Sequence, residues 1–333
     1  MDTRIWCEFT PPKDVCRKHI INALKKYNVT LNYKLEYGHD SKDFYDMIKT
    51  YNDNDVQVSI WATLSDEMGY WINERNAGHF DIYVRELAEK LERKALKIKG
   101  MCIDLESPLE DIKNLSEPKS VISPFITYTK MLTANLNKKR FNEARRIFTE
   151  TAHYLRSKGL ESYAACIRHC YYDIRFNSEL IQNALEIPVF NVGWDKYNLM
   201  YYATMIRNEM KKIKKVNVDY LIYHQVSHLK EVLKDKLAIS VGVTNVGKLG
   251  NEPYYEDIKV FEKDMGILKG IGIDSVSLFS LDGITEENKL LEFLEVMNRA
   301  EPYKPEVCNY VIRNEVLSEL LFNIGKVYYS LRR

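Results

Sequence analysis

Two carboxylates in the run GMCIDLES have the residue types and the spacing of a general acid and a neighbouring carboxylate that assists it. Asp104 and Glu106 stand two residues apart in a run that alternates between two kinds of side chain. In a β-strand both would share one face with Cα atoms about 6–7 Å apart, close enough for each charge to raise the pKa of the other. A protonated carboxylic acid beside an ionised one can protonate a glycosidic oxygen and stabilise the cation that develops.

Further polar and aromatic side chains come at the ends of other β-rich runs, or just after them. The loop Ser65–Phe80 is long and carries aromatic rings beside amides and charged groups. Flat apolar faces next to donors and acceptors suit a sugar, whose rings stack and whose hydroxyls need hydrogen-bond partners. We therefore predict a carbohydrate substrate and contacts to it from Glu8, Trp61, Tyr70, Trp71, Asn76, Asn245, Glu252 and Asp282.

The elements that must position these residues alternate between short β-rich runs and amphipathic helical stretches. This order is typical of parallel strands joined by helices. We predict an α/β protein of the (β/α)8 TIM-barrel class, with its working face at the carboxyl ends of the strands. The eight predicted strands are Arg4–Phe9, Leu31–Tyr37, Val56–Ala62, Gly100–Glu106, Glu161–Ile167, Tyr197–Ala203, Leu237–Val243 and Ser275–Leu281.

The alternation within the strands favours closure into a barrel. In strand four, Met101, Ile103 and Leu105 should face the helices, which leaves Asp104 and Glu106 pointing into the mouth. In strand seven the small residues Ala238, Ser240 and Gly242 share one face and suit a crowded interior. An open doubly wound sheet is the alternative, but no glycine-rich phosphate-binding motif opens a helix.

Two segments compete for strand status. The apolar residues of Val218–Lys236 recur at three- and four-residue spacing, which predicts a helix. Pro188–Trp194 contains a proline and a glycine and is placed in the approach to strand six. No linker or repeat divides the chain, so we expect one domain over 1–333, with 306–333 as extra C-terminal helices packed on the barrel.

Composition limits the classes of partner. Lys and Arg total 48 against 47 for Asp and Glu, so neither nucleic acid nor an anionic membrane is expected as a partner. The sequence has no secretory-type start and no 18-residue apolar run, and its six cysteines form no CxxC pair. We expect a cytoplasmic protein with free thiols, and we predict neither a cofactor nor a metal site. The oligomeric state is left open.

At GMCIDLES the sequence resembles the end of the signature of the chitinase and endo-β-N-acetylglucosaminidase family of glycoside hydrolases. The resemblance implies a (β/α)8 barrel in which Glu106 is the general acid and Asp104 orients an N-acetyl group of the substrate, which acts as nucleophile. Met200-Tyr201-Tyr202 is similar to the family's Met-x-Tyr, which implies that Tyr202 positions the same group. The chain departs from the family at four positions, namely Lys99, Cys102, Ala203 and Phe279.

Two other functions remain open. A metal-dependent isomerase or lyase could use Glu8, Asp104, Glu106 and His169 as ligands. A carbohydrate-binding pseudoenzyme could keep the aromatic loop without turnover. Structural roles compete as well: Glu8, Glu36 and Asp282 could belong to satisfied charge networks, and Trp61, Tyr70 and Trp71 could pack the rim. His224 and His228, four residues apart, are expected on a solvated helix face.

Overall fold

Eight parallel strands close into a barrel. The computed structural model describes residues 1–108, 135, 137–245 and 252–331. Each strand pairs with its neighbours in chain order and β8 pairs with β1, so the sheet has no free edge. The predicted (β/α)8 barrel is confirmed. The strands are β1 Asp2–Cys7, β2 Val29–Glu36, β3 Val58–Thr63, β4 Gly100–Leu105, β5 Glu161–Ile167, β6 Lys196–Met200, β7 Leu237–Gly242 and β8 Ser275–Phe279.

Helices cover the outside of the barrel. Val218–Leu233 is helical, and Pro188–Trp194 forms no strand, as the sequence predicts. The described helices are α1 Pro12–Val15, α2 Lys18–Lys26, α3 Lys42–Asp53, α4 Ala77–Arg93, α5 Lys138–Ser157, α6 Tyr171–Arg175, α7 Leu180–Leu185, α8 Ala203–Met210, α9 Val218–Leu233, α10 Ile258–Ile271, α11 Glu287–Arg299 and α12 Asn309–Leu331. Among the described residues, no helix combines the length and apolar composition that crossing a bilayer requires.

Side-chain alternation separates two hydrophobic layers. Met101, Ile103 and Leu105 of β4 are fully buried in the layer between strands and helices. Cys102, on the opposite face, belongs to a small inner cluster with Trp6 and other ring-bearing or small residues. The predicted directions of the β4 side chains are therefore confirmed. Every second residue of each strand points into the barrel, which fixes what can line its mouth.

A charge network centred on the buried Arg4 lies at the amino-terminal end of the barrel. Arg4 is 0% exposed and pairs with Asp2 at 2.8 Å and with Glu161 at 2.5 Å. Its guanidinium also lies 4.1 Å from the centroid of the Tyr163 ring. Lys99, one of the departures from the resembled family, completes the network through Asp2 at 2.6 Å.

Several strands end earlier than predicted. β6 stops at Met200 and α8 begins at Ala203, so Tyr202 caps the helix instead of lying in the strand. Glu8, Glu106 and Asp282 likewise follow their strands. The difference arises because hydrogen-bond ladders end where loops take over the backbone groups, a tertiary event that local residue pattern does not encode.

The helix α12 packs on α6 and α9 through one carboxylate. Glu315 accepts hydrogen bonds from the Tyr171 hydroxyl and from His224, and it pairs with Arg175 at 3.1 Å. Burial acts to raise the pKa of Glu315, but these partners outweigh it and hold the value at about 2. The expectation that His224 lies on a solvated helix face is wrong, because α12 covers that side of α9.

Candidate active site

Three carboxylates meet at the carboxyl end of the barrel. Glu8 follows β1, Asp104 lies in β4, and Glu106 comes directly after β4. Glu8 is 8% exposed and Asp104 is 6% exposed, whereas Glu106 keeps more of its surface accessible. Because the three charges face one another, they interact electrostatically. Of the pair on β4, Glu106 is the member more accessible to a substrate.

Burial and mutual repulsion keep a proton on this cluster. Burial is the main cause that raises the pKa of Glu106 to about 8, and the charge of Glu8 adds to it. The pKa of Asp104 is also raised well above its usual range, first by burial and then by Glu106 and Glu8. A carboxyl in such a pair stays protonated near neutral pH, which is the state that a general acid requires.

A lysine and a tyrosine connect to the third carboxylate. The Tyr70 hydroxyl donates to Oε1 of Glu8 at 2.7 Å, and Nζ of Lys34 donates to the same hydroxyl at 3.1 Å. Burial and the neighbouring charge of Glu8 raise the pKa of Tyr70, so its hydroxyl remains a donor. This donor chain, which ends in an ammonium group, fixes the position of the Glu8 carboxylate.

Tyr202 lies close to the same cluster. Burial is the first cause that raises the pKa of its hydroxyl, followed by the charges of Asp104, Glu106 and Glu8. Its ring lies 5.5 Å from that of Phe279 on β8, centroid to centroid. The structure thus brings together Tyr202 and the two carboxylates of β4, which the sequence assigned to one site.

The loop between β3 and α4, residues 64–76 and so shorter than predicted, contributes to the wall beside β4. The amide of Ile72 donates to the carbonyl of Asp104 at 3.0 Å, and the amide of Glu106 donates back to Ile72 at 3.2 Å. This backbone pairing fixes the loop directly beside both acids. The Tyr70 hydroxyl then reaches Glu8 across the mouth.

Asn76 shapes this loop from within. Its amide nitrogen donates to the carbonyls of Met68 at 3.1 Å and Trp71 at 2.8 Å, and its oxygen accepts from the amide of Asn73 at 2.9 Å. These bonds occupy both ends of the side-chain amide. Asn76 therefore holds the loop in place, and a hydrogen bond from it to a substrate would have to replace one of these contacts.

Both tryptophans of the predicted site are buried. Trp61 is 3% exposed and lies inside the barrel, 5.2 Å from Trp6 and 6.4 Å from Phe279 between ring centroids. Trp71 is 5% exposed and packs edge-on against Tyr70 at 5.6 Å. Little of either indole is therefore accessible, and both act as packing residues in this structure.

Asp282 organises the loop after β1. Its carboxylate accepts the backbone amides of Glu8 at 2.9 Å, Phe9 at 3.0 Å and Thr10 at 2.8 Å, together with the Thr10 hydroxyl at 2.7 Å. Such charge-assisted bonds are among the stronger ones in proteins. Asp282 thus acts on the site through the position of Glu8.

The last two predicted contacts lie in the loop after β7. Asn245 is exposed and lines a rim cavity whose lining includes none of the three carboxylates. Glu252 is partly buried. A substrate contact from either residue stays a prediction.

Several buried polar atoms inside the barrel lack a hydrogen-bond partner among the described residues. They belong to the strands β2, β3 and β4: both amide atoms of Asn32, the hydroxyls of Ser59 and Thr63, the indole nitrogen of Trp61 and Oδ1 of Asp104. Buried polar groups are normally satisfied by protein or by ordered water. A polar interior of this kind accommodates water or a hydroxyl-rich ligand next to Asp104.

Sequence reasoning missed Lys34 and Phe9 as residues of the mouth. Lys34 alternates with Tyr33 and Leu35 in β2, so its inward direction could have been predicted from the strand pattern.

Within the described ranges, no three His, Cys, Asp or Glu residues are grouped as ligands of a metal ion.

No family model matches the sequence, and no curated protein matches it either. Solved structures do. A GH18 chitinase from Pseudoalteromonas aurantia is 12% identical, with a TM-score of 0.51 over 89% of this chain and 100% of that one. The spore cortex-lytic enzyme of Bacillus megaterium is 9% identical, with a TM-score of 0.52 over 92% of this chain and 75% of that one. A D-allulose 3-epimerase from Methylomonas sp. is 12% identical, with a TM-score of 0.50 over 90% of this chain and 97% of that one. At such identity the likeness shows the barrel fold alone.

Proposed function

We propose that this chain is a glycosidase-like hydrolase that acts on an oligosaccharide or a glycoconjugate. The observation that carries the proposal is the pair Asp104 and Glu106 at the mouth, with the pKa of Glu106 raised to about 8. Such a pair supplies a proton at neutral pH next to a group that stabilises positive charge. The fold is shared with chitinases and with a D-allulose 3-epimerase, proteins whose names are those of carbohydrate-acting enzymes.

In the proposed reaction the carboxyl proton of Glu106 moves to the glycosidic oxygen. The bond between that oxygen and the anomeric carbon breaks, the bonding electrons stay with the leaving oxygen, and positive charge develops on the sugar ring. The charge of Glu8, which acts on both other carboxyls, stabilises that ring, and Asp104 lies beside it. The Glu106 carboxylate that remains then takes a proton from the water that completes hydrolysis.

The neighbouring groups are assigned supporting roles. Lys34 and Tyr70 hold Glu8 in place. Tyr202 corresponds to the tyrosine that positions the acetamido group in the resembled glycoside hydrolase family. If the substrate carries an N-acetyl group, we propose that Asp104 and Tyr202 orient it, and the unpartnered Oδ1 of Asp104 is suited to accept its N–H.

The proposal is tested by screening a panel of oligosaccharides and comparing Glu106→Gln with the unaltered protein on any substrate found. We expect a fall in turnover of about 10² to 10⁴, with binding largely kept, because glutamine retains the shape and loses the proton. Glu36→Gln, an equivalent change at the end of β2, is the control and should keep activity. Full turnover by Glu106→Gln would rule out the assignment. Loss of binding together with bound metal in the parent would favour the isomerase or lyase alternative.

A further inference from the structure

An aromatic side chain stands exposed next to the acid cluster. Phe9 follows Glu8 in the chain and is 51% exposed. Nζ of Lys34, which contacts Tyr70, lies 5.2 Å from the centroid of the Phe9 ring. Phe9 is therefore linked to the acid cluster through Lys34 and Tyr70, the residues that hold Glu8. A single exposed apolar residue is common on protein surfaces, so exposure by itself would indicate nothing.

What distinguishes Phe9 is that its backbone is fixed. The amides of Glu8, Phe9 and Thr10 all donate to the carboxylate of Asp282, a residue 273 positions away from Phe9 in sequence. A loop held by several charge-assisted bonds presents its side chains with little conformational freedom. The apolar ring is thus held in solvent by a rigid support, which lowers the entropy that a ligand would lose on binding to it.

The ring borders a cavity of about 280 Å³ at the same end of the barrel. Its lining comes from the loops after β1, β7 and β8 and from α1 and α2, with Phe9, Asn245 and Thr285 among the residues that contribute. Small-molecule pockets commonly measure about 300–1,000 Å³. This cavity, just below that range, has room for one sugar ring and not for a chain of them.

The charges of the lining are already compensated. Arg17 pairs with Asp14 at 2.6 Å, and Asp282 is satisfied by backbone amides. The exposed amide of Asn245 adds an uncharged donor and acceptor. A flat apolar face beside neutral hydrogen-bonding groups suits a polyhydroxylated ring, and the paired cation gives an anion such as phosphate no preference.

We propose that this rim cavity is a binding subsite for a second sugar unit of the substrate, with Phe9 as its stacking platform and Asn245 as a hydrogen-bonding partner. The inference rests on the proposed function and narrows its substrate to a saccharide of two or more units. Binding should strengthen once the chain is long enough to occupy both the acid cluster and the rim cavity. A monosaccharide reaches only the acid cluster, so its binding affinity should not depend on Phe9.

The test is calorimetric titration of the Glu106→Gln protein, in which turnover is slowed, with chito- and cello-oligosaccharides of one to four units. In that background Phe9→Ala should weaken binding of the longer chains about tenfold, because an aromatic stacking contact contributes about that much, and it should leave the monomer unchanged. Phe9→Tyr should keep the affinity. Tyr37→Ala is the matched control, since Tyr37 is 38% exposed after β2 and does not line the cavity.

Equal affinity in Phe9→Ala and Tyr37→Ala would overturn the subsite, and so would binding that does not depend on chain length or no binding by any chain. Phe9→Leu keeps an apolar side chain without a flat ring, so a loss of affinity there, with an unchanged thermal melt, excludes misfolding as the cause. Hydrolysis is followed separately with the unaltered protein. Length-dependent binding without hydrolysis would keep the subsite and refute the hydrolase, and cleavage of an aryl monosaccharide with no role for Phe9 would do the reverse.

Discussion

Removal of the charge on Glu8 should lower the pKa of Glu106, which lies at about 8. Glu8→Gln keeps an oxygen that can accept from the Tyr70 hydroxyl, so the contact at 2.7 Å need not be lost. For two charges about 7 Å apart in an effective dielectric constant of about 20, the repulsion is about 2 kcal/mol. That energy corresponds to about 1.5 pKa units. The proton on Glu106 should therefore be lost at a lower pH in the variant.

The assay is a pH titration followed by NMR of carboxyl-labelled glutamate, with the Glu106 signal assigned by its absence in Glu106→Gln. Burial, the first cause of the raised pKa, is unchanged by the substitution, so the value should stay above 4.5, the usual value for glutamate. Glu36→Gln, which removes a carboxylate elsewhere on the rim, should leave the titration in place. A Glu106 signal that titrates identically in Glu8→Gln and the parent would refute the electrostatic coupling.

Three further predictions concern stability. Folding raises the pKa of Glu106 from 4.5 to about 8, so the folded state binds the proton more tightly and this group's contribution to stability falls as pH rises through that window. In urea titrations, Glu106→Gln should therefore raise the free energy of unfolding at alkaline pH by about 2–4 kcal/mol, with little change below pH 4.5. Arg4→Met should cost about 3–5 kcal/mol because it leaves Asp2 and Glu161 without their buried partner. Arg146→Met, at an exposed ion pair, should change stability far less, and equal losses would refute the Arg4 network. Asp282→Asn should cost about 1–3 kcal/mol and increase amide exchange at Phe9 and Thr10, and unchanged exchange would refute the anchoring role.

The barrel and the direction of the β4 side chains could be predicted because they depend on local pattern. Strict alternation in a strand determines the face on which each side chain lies, and repeated strand–helix order determines parallel pairing. Asp104 and Glu106 were therefore found from sequence alone. Lys34 was within reach of the same argument, since Tyr33 and Leu35 define the outer face of β2.

The remaining features depend on contacts between distant parts of the chain. Asp282 reaches the amides of Glu8 and Thr10 across the closure of the barrel, and no local pattern signals that partnership. The burial of Trp61 against Trp6 and the cover that α12 provides over His224 are likewise tertiary. Residue type predicted where chemistry could occur, and packing decided which of these groups have polar atoms directed to the mouth.

The most direct test of the central claim compares two leaving groups in Glu106→Gln, once a sugar specificity is known. A general acid is needed when the leaving oxygen is a poor leaving group, as in a natural oligosaccharide, and much less so for a nitrophenyl glycoside whose oxygen departs as a stable anion. We predict that Glu106→Gln loses about 10² to 10⁴ in kcat/KM on the oligosaccharide and about tenfold or less on the nitrophenyl glycoside of the same sugar. An equal loss on both substrates, or no loss on either, would contradict the role of Glu106 as proton donor.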